Sequence, residues 1–539
     1  MTAVGPREAC ALAAAAMVGL ALAGHAAWVS SATYDEVAYL RIAARFHRTG
    51  DQAEIARMGS PASFWKIQQG PVNAAIDAVG YGDWLDHPLE HQIELLRVAR
   101  LGALWIWLVA WAATVAWAGT RGGPPARIFA AWLFALSPNL LAHGGLITME
   151  MPLVAASVGV FAFWDGYLRT GDRRAFAAAA ACAGVAFSCK FTAILFPPIL
   201  AAASLVVIPP DPSARSVARR LARVVGESIA FLAIMGSVDL VVTGFARIPL
   251  SAGVGAHPWI EARFGGAAAR LAELPWPIDL VGFLRQIHHQ RSGGPSYLFG
   301  EVRSTGWWYY YPVAIAVKTP LAFLVLVALR AAAGGRDRFP TVVIVLFLAI
   351  AMLLSKRNYG LRYLLPLAPV AIVWISTLAA RPGRWRWAAV ACLLGQALAV
   401  ASIHPHELSF FNRAAGGIEG GRRILSDSNL DWGQGLRALA ALQRRDPRYR
   451  DVTLYYFGDT EPFRYEVVGV SHVVRAIGPY DDLPPLEATS TTYLAVSTSL
   501  VWGPWGPDGM FAALRERPPV ASTPDGTILI YENRAADGR

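Results

Sequence analysis

The chain has 539 residues, of which 55% are hydrophobic and only 16% are charged, and its formal net charge is +10. Apolar runs long enough to cross a membrane recur from residue 10 to about residue 403, which excludes a soluble globular protein. The positive charge does not indicate nucleic-acid binding, because most basic residues lie in short loops between apolar runs, where they set the orientation of the chain in a membrane.

The apolar runs predict about eleven membrane spans. They lie near residues 10–30, 98–119, 127–147, 150–168, 175–190, 191–209, 224–246, 311–331, 340–355, 362–379 and 387–403. The first run, of about 20 residues, is longer than the apolar core of a signal peptide, so we interpret it as a retained span. Every second loop is rich in arginine, which predicts a cytoplasmic N-terminus and an extracytoplasmic C-terminus in the cytoplasmic (inner) membrane.

Three larger segments are predicted on the outer side: residues 31–97, residues 247–310 and the tail, residues 404–539. In the first of them, residues 37–46 and 93–98 alternate polar and apolar positions, which is typical of amphipathic helices lying on the membrane plane. The predicted architecture is therefore a polytopic α-helical membrane domain over residues 1–403 with a small extracytoplasmic α/β domain after it.

The tail contains the patterns of both strands and helices. Short strands are predicted at residues 452–457, 493–496 and 527–531, and helices at residues 436–443 and 510–516.

Two places in the outer segments carry acids that are candidates for catalysis. Asp35 and Glu36 directly follow the first span, where they either favour the start of a helix capped by Thr33 or supply a general base at the membrane surface. Glu150 lies in a short outer turn, where it either favours a helix start before Pro152 or marks a functional site, since an ionisable group so near the hydrocarbon is costly. His143 is predicted near the same surface.

Cations are also predicted on the outer side, against the usual bias toward the cytoplasm. Lys190 occupies a tight turn, where it either snorkels toward water or meets an anion. Lys356, Arg357 and Arg362 share one short loop with Tyr363, and such a loop can clamp a phosphate or bind lipid headgroups.

Aromatic residues and possible metal ligands give weaker signals. Trp307 and Trp308 precede a predicted span and fit either an aromatic belt or a surface for a sugar or polyprenyl chain. Residues 427–434 superficially resemble a calcium loop but lack the required glycine and glutamate, so a helix cap or a contact between tail and membrane domain is preferred. The four cysteines lie in apolar segments without metal-site spacing. No metal site is predicted.

Several motifs, taken in order, resemble a known enzyme family over nearly the whole chain. The motifs are Tyr34-Asp35-Glu36, residues 137–144 leading to Thr148-Met149-Glu150, Lys190-Phe191-Thr192, residues 306–312, Lys318-Thr319-Pro320, residues 362–366, and residues 404–412 followed by 427–434. Together they are similar to GT-C class glycosyltransferases of the protein O-mannosyltransferase and aminoarabinose (lipid A) transferase superfamily, in a bacterial branch.

The resemblance implies a function and roles for individual residues. Such enzymes take a sugar from a polyprenyl-phosphate-linked donor outside the membrane and invert its anomeric centre. Asp35 would be the catalytic base, supported by Glu36, and Glu150 would match a second acid that is more often aspartate in the family. Lys66 would match a lysine that contacts the donor phosphate, although the residues that follow it differ from the family pattern.

We therefore predict an inverting glycosyltransferase, integral to the membrane, in which Asp35 deprotonates an acceptor. Lys190 and Arg362, with Lys66 or Arg357, would stabilise the departing phosphate. No cofactor is required, and a divalent metal is compatible with this chemistry but not indicated. The acceptor can be a protein, a lipid or a glycan. The alternatives are a polytopic transporter or lipid flippase without transferase activity, and an inactive membrane scaffold whose tail binds a partner.

Overall fold

The computed structural model describes residues 4–61, 63–207, 214–251, 266, 270–335 and 337–533. Much of the predicted outer loop 247–310, and the end of the predicted span 191–209, lie outside these residues. The longer helices are α1 (Pro6–Val29), α2 (Tyr34–Thr49), α3 (Gln92–Ala135), α4 (Glu150–Thr170), α5 (Arg173–Cys189), α6 (Phe196–Val207), α7 (Ala214–Val242), α8 (Ile278–Ser292), α9 (Tyr310–Lys318), α10 (Leu321–Ala332), α11 (Arg338–Leu354), α12 (Leu367–Ser376), α13 (Arg384–Ala401) and α14 (Leu436–Arg445).

Apolar helices make this a multi-pass membrane protein. Among the described residues, four helices are long and apolar enough to cross a membrane, namely α1, α3, α4 and most of α7, and a fifth span results if the bent pair α9 and α10 is counted as one. Further predicted spans correspond to shorter apolar helices, such as α11 and the segment Phe191–Val207. The predicted number of about eleven therefore stays a prediction.

Helix α3 contains the span predicted at residues 98–119 and the start of the span predicted at residues 127–147, with a break between the two, but the separate amphipathic helix predicted at residues 93–98 is part of the same helix. The structure has one helical segment, interrupted where Gly122 and Gly123 leave helical geometry, with φ of −142° and 66°. Glycine adopts such angles at little cost, and the prolines that follow need no backbone donor at the start of the next helical stretch. The polar residues at 93–98 form the first turns of the span itself.

The segment predicted as a single span at residues 311–331 is sharply bent. Helices α9 and α10 meet at Thr319 and Pro320 with a bend of 112°. Proline removes a backbone N–H and its ring obstructs the preceding turn, so the helix ends there and restarts in a new direction.

Helix α1 packs closely on α3 because small residues line the contact. A Cβ atom at Gly19 would lie 2.2 Å from the ring of Trp107, and one at Gly144 would lie 2.5 Å from the same ring. Trp107 is fully buried between them. The close approach fixes the end of α1 beside the short helix Pro138–Gly144, and so places residues 30–36 over the segment 143–150.

The C-terminal part contains a five-stranded sheet. Its strands are β5 (Val452–Phe457), β6 (Val470–Val474), β7 (Tyr493–Ser497), β8 (Ala521–Ser522) and β9 (Ile528–Glu532), in the order β6-β5-β7-β9-β8. Two antiparallel strand pairs precede it in the chain, β1 (Arg247–Pro249) with β2 (Pro275–Pro277) and β3 (Ser296–Leu298) with β4 (Glu301–Arg303). Strand β5 is parallel to β6 and β7, whereas β9 is antiparallel to β7 and β8. The fully buried β5 was predicted from its apolar run. The edge strands β6 and β8 were missed, because β6 is partly exposed and β8 has two residues.

Candidate active site

Asp35 and Glu36, which follow the first span, lie in different environments. Helix α2 begins at Tyr34, and the carboxylate of Glu36 accepts hydrogen bonds from the backbone N–H and the hydroxyl of Thr33, both at 2.9 Å. Glu36, and not Asp35, therefore stabilises the helix start. The side chain of Asp35 is 28% exposed, whereas that of Glu36 has no exposure.

Glu36 forms a completely buried ion pair with Arg100 of α3. Arg100 donates from Nε and Nη2 at 2.9 and 2.5 Å, and the backbone N–H of Ile147 donates at 3.1 Å to the same carboxylate. Burial by itself would raise the pKa of Glu36, but the charge and hydrogen bonds of Arg100 hold it below its usual range. The prediction that Glu36 supports Asp35 stays a prediction, and its contacts favour a structural form of that support.

We expect Glu36→Gln to destabilise the fold. Removing one partner of a buried pair leaves Arg100 as an uncompensated charge, which costs about 3–5 kcal/mol. Thermal unfolding of the purified protein should show a clearly lower melting temperature, while the exposed pair of Arg444 and Glu466 offers a control in Glu466→Gln, with little change expected. A stable but inactive Glu36→Gln protein would instead support a direct catalytic role.

Four charged side chains from separate parts of the chain lie close together at the start of α2, namely those of Asp35, Glu150, Lys190 and Arg362. Nη1 of Arg362 lies 3.3 Å from Oδ2 of Asp35 and 3.6 Å from Oε1 of Glu150. Nζ of Lys190 lies 2.8 Å from the same oxygen of Glu150. The ring of Tyr363 lies 4.4 Å from Nζ of Lys190. The structure thus brings together four residues predicted from separate motifs, and it places the ring of Tyr363 against them.

Arg362 has one unused donor in this group. Its guanidinium packs over the ring of Trp432 at 4.2 Å, and its Nε is buried without a hydrogen-bond partner among the described residues. Nδ1 of His143 and the hydroxyl of Thr148 are likewise buried without partners in the part of the chain that the structure describes. The ring of His143 lies 6.3 Å from that of Trp432. Buried donors and acceptors of this kind normally meet a ligand or an ordered water.

Burial makes two carboxyl groups near Arg362, those of Asp35 and Asp427, hard to ionise, and it acts in the same way on Asp431. Burial raises the pKa of Asp35, Glu150 raises it further, and Arg362 and Lys190 oppose the shift. Burial also raises the pKa of Asp427 to about 7, against the charge of Arg362. The pKa of Asp431 is likewise raised by burial to about 7, although backbone N–H groups of Ser499 and Gly433 donate to it. Extra negative charge at this place therefore has to be met by the cations.

Other predicted site residues lie elsewhere or have other partners. Lys66 donates to the carbonyl of Val242 at 3.1 Å, and Arg357 donates from Nε to the carbonyl of Gly293 at 2.6 Å. Trp307 is buried and its backbone N–H donates to Asn358, whereas Trp308 is 66% exposed. These contacts do not connect Lys66 or Arg357 with Asp35, so their role in phosphate binding stays a prediction.

An apolar groove is lined by residues that adjoin Arg362 in the chain. These are Leu361, Leu364 and Leu365, and helices α10, α11 and α12 supply most of the remaining wall. The cavity between these walls has a volume of about 300 Å³. The groove lies among membrane helices, which suits an extended hydrocarbon chain whose polar end reaches Arg362.

Sequence reasoning missed two contributors to the site. Trp432 belongs to the segment 427–434, which was noted for its oxygen-bearing side chains but was given no catalytic role. Arg100 lies inside a predicted span, where a buried arginine is a signal for a structural or functional partner. In the described part of the chain, no group of three or more His, Cys, Asp or Glu side chains is arranged to hold a metal ion.

Comparison with known proteins gives structural similarity at low sequence identity. No family model and no curated protein matches the chain. Solved structures that resemble it include ArnT from Cupriavidus metallidurans bound to undecaprenyl phosphate, with 15% identity over 97% of this chain and 98% of that one and a TM-score of 0.48. The same protein in the apo state has 16% identity, 97% coverage of both chains and a TM-score of 0.44.

A third similar structure is the Archaeoglobus fulgidus oligosaccharyltransferase in complex with Zn and sulfate. It has 14% identity over 97% of this chain and 73% of that one, with a TM-score of 0.46. The structural neighbours are thus an aminoarabinose transferase, one of the groups that the sequence motifs resemble, and an oligosaccharyltransferase.

Proposed function

We propose that the protein is an inverting glycosyltransferase that uses a polyprenyl-phosphate-linked monosaccharide as donor, on the outer face of the cytoplasmic membrane. The observation that carries this proposal is the pairing of a partly exposed carboxylate, Asp35, with the buried cation Arg362, which shares Glu150 as a partner with Lys190. This reaction requires a base and a phosphate-binding group in the same site. Here Oδ2 of Asp35 lies 3.3 Å from Nη1 of Arg362.

The donor is proposed to bind with its phosphate at Arg362 and its chain in the apolar groove. The free Nε of Arg362 can donate to a phosphate oxygen, and a guanidinium matches phosphate geometry. Glu150 keeps Lys190 and Arg362 on the same side of the site. His143 and Thr148 have unpaired polar atoms that can meet sugar hydroxyls.

In the proposed reaction, Asp35 accepts the proton of an acceptor hydroxyl or amine as its oxygen or nitrogen attacks C1 of the sugar. The new bond forms as the bond from C1 to the phosphate oxygen breaks, and the electron pair leaves with the polyprenyl phosphate. Arg362 and Lys190 stabilise the growing charge on that phosphate, in a site with little water. Attack from the face opposite the leaving group inverts C1.

Activity is expected to increase with pH along an acid limb that lies above the ordinary range of a carboxyl group. Asp35 has to be ionised to accept a proton, and burial raises its pKa, so activity is lost as the pH falls through this raised value. The measurement is the pH dependence of kcat/KM at saturating acceptor. An acid limb at or below the ordinary aspartate pKa would contradict Asp35 as the base.

The function is tested with the full chain in proteoliposomes that contain polyprenyl-phosphate donors with different radiolabelled sugars. Release of polyprenyl phosphate, together with label on an acceptor, is the expected result. Mass spectrometry of envelope glycans from cells with and without the protein identifies the acceptor. Movement of intact labelled donor across the bilayer without sugar release would favour the transporter or flippase instead.

A further inference from the structure

Side chains of the segment 427–434 form hydrogen bonds with the loop that carries Arg362. Oδ1 of Asn429 accepts a hydrogen bond from the backbone N–H of Leu361 at 3.0 Å, and the hydroxyl of Ser428 donates to the carbonyl of Tyr359. Gly360 has a φ of 127°, and a Cβ there would lie 2.6 Å from the oxygen of Ser428. The loop and the segment therefore pack backbone to side chain immediately before Arg362.

Trp432 of this segment contacts Arg362 through its ring and the start of α2 through its backbone. Its ring, only 2% exposed, lies 4.2 Å from the guanidinium of Arg362. Its carbonyl accepts a hydrogen bond of 2.7 Å from the backbone N–H of Tyr34, the residue before Asp35. The side chain of Gln434 accepts from the N–H of Trp432 at 2.8 Å, which holds the tryptophan backbone in place.

The start of α2 is joined to the C-terminal part at further points. Ser31 donates from its N–H to the carbonyl of Gln434 at 3.2 Å, and its hydroxyl accepts from the N–H of Leu436 at 2.9 Å. The ring of Tyr34 stacks on Phe457 of β5 with 5.2 Å between centroids. The position of Asp35 is thus tied to the same element that supports Arg362.

We propose that Trp432 is a positioning residue that holds Arg362 ready for the donor phosphate and sets its separation from Asp35. This inference rests on the proposed function. An aromatic face attracts the guanidinium without using any of its N–H donors, so those donors stay available for an anion. With an aliphatic residue at position 432, the guanidinium of Arg362 loses its aromatic partner and turns toward the carboxylates of Asp35 and Glu150. A phosphate then has to compete with both carboxylates for the guanidinium.

The test compares Trp432→Leu and Trp432→Phe with the wild-type full chain in nanodiscs. We expect the KM for donor and the Kd for sugar-free polyprenyl phosphate to increase about tenfold in Trp432→Leu and about threefold in Trp432→Phe, since tryptophan binds cations best. kcat should change much less than KM. A matched control is Trp28→Leu, because Trp28 packs over Arg97 at 4.5 Å outside the site, and its Kd should equal that of the wild type.

An unchanged Kd and KM in Trp432→Leu would overturn the inference. If Trp432→Leu does not accumulate as a folded protein, Trp432→Phe decides, and wild-type Kd and KM in that variant would overturn it as well. The inference and the proposed function fail in different ways. A wild-type protein that binds polyprenyl phosphate but transfers no sugar contradicts the function, whereas normal transfer with unaltered donor binding in both Trp432 variants contradicts only the positioning role.

Discussion

Replacing Asp35 with asparagine is expected to lower kcat about 10³-fold, within the range that a general base contributes to catalysis. Asparagine keeps the size of the side chain and can still accept a hydrogen bond, but it cannot take the proton of the acceptor. The KM for donor should change little or decrease, since the neutral amide no longer competes with the phosphate for Arg362. The measurement is steady-state sugar transfer by purified protein.

A matched control is Asp83→Asn. Asp83 also lies in the first turn of a helix, Asp83–Asp86, but its side chain is 68% exposed and it pairs with His87 and His91. Its removal should leave kcat within about twofold, as for most exposed substitutions. Wild-type turnover by a folded Asp35→Asn protein would exclude Asp35 as the base.

Replacing Arg362 with glutamine is expected to reduce kcat/KM by about 10²- to 10³-fold, the usual effect of removing one preorganised donor to a developing charge. Both binding and the chemical step should suffer, because the phosphate is charged in the ground state and gains charge as C1 departs. Arg362→Lys should recover only part of the loss, since an ammonium lacks the planar fork and cannot replace the unused Nε donor.

The pH profile of the Arg362 variants provides a second measurement. Arg362 lowers the pKa of Asp35, so its removal should move the acid limb of kcat/KM to higher pH. Arg448→Gln is the control, because Arg448 is 71% exposed on the C-terminal sheet region. A loss of activity without any change in the pH profile would indicate that Arg362 and Asp35 do not interact in the working enzyme.

The substitutions Asp35→Asn and Arg362→Gln test separately the proposed base and the proposed phosphate-binding residue. Asp35→Asn should leave a protein that still binds sugar-free polyprenyl phosphate, whereas Arg362→Gln should bind it weakly. The opposite result, with binding lost in Asp35→Asn and kept in Arg362→Gln, would place the phosphate elsewhere, for example at Lys66, which the sequence motifs predicted as a phosphate ligand.

Apolar run length and arginine-rich loops were enough to predict a multi-pass membrane protein with chemistry on one side, because hydrophobic burial in a bilayer leaves a local pattern along the chain. The break at Gly122 and Gly123 lies between the two spans predicted at residues 98–119 and 127–147, but the same reasoning could not find the bend before Pro320. Glycine and proline permit both a kink and a loop, and the packing of neighbouring helices decides between them.

Asp35 and Glu36 illustrate what a local sequence pattern does not predict. Successive residues of a helix point about 100° apart, so Asp35 and Glu36 had to face different surroundings, yet nothing in their neighbours indicates which of them is buried. Arg100, 64 residues later, decides it by pairing with Glu36. Asp35 is thereby left partly exposed beside Arg362, which is more than 300 residues away in the chain.

By itself, the sequence determined the membrane class, the acids after the first span, the cations in short loops between apolar runs and the buried strand β5, since each depends on a short local pattern. Only the tertiary structure decided that Asp35, Glu150, Lys190 and Arg362 form one group, that Lys66 and Arg357 have other partners, and that the ring of Trp432 packs over the arginine. The physical reason is that charges act through space at contacts of 3–4 Å, and long-range packing of helices, rather than spacing along the chain, sets those contacts.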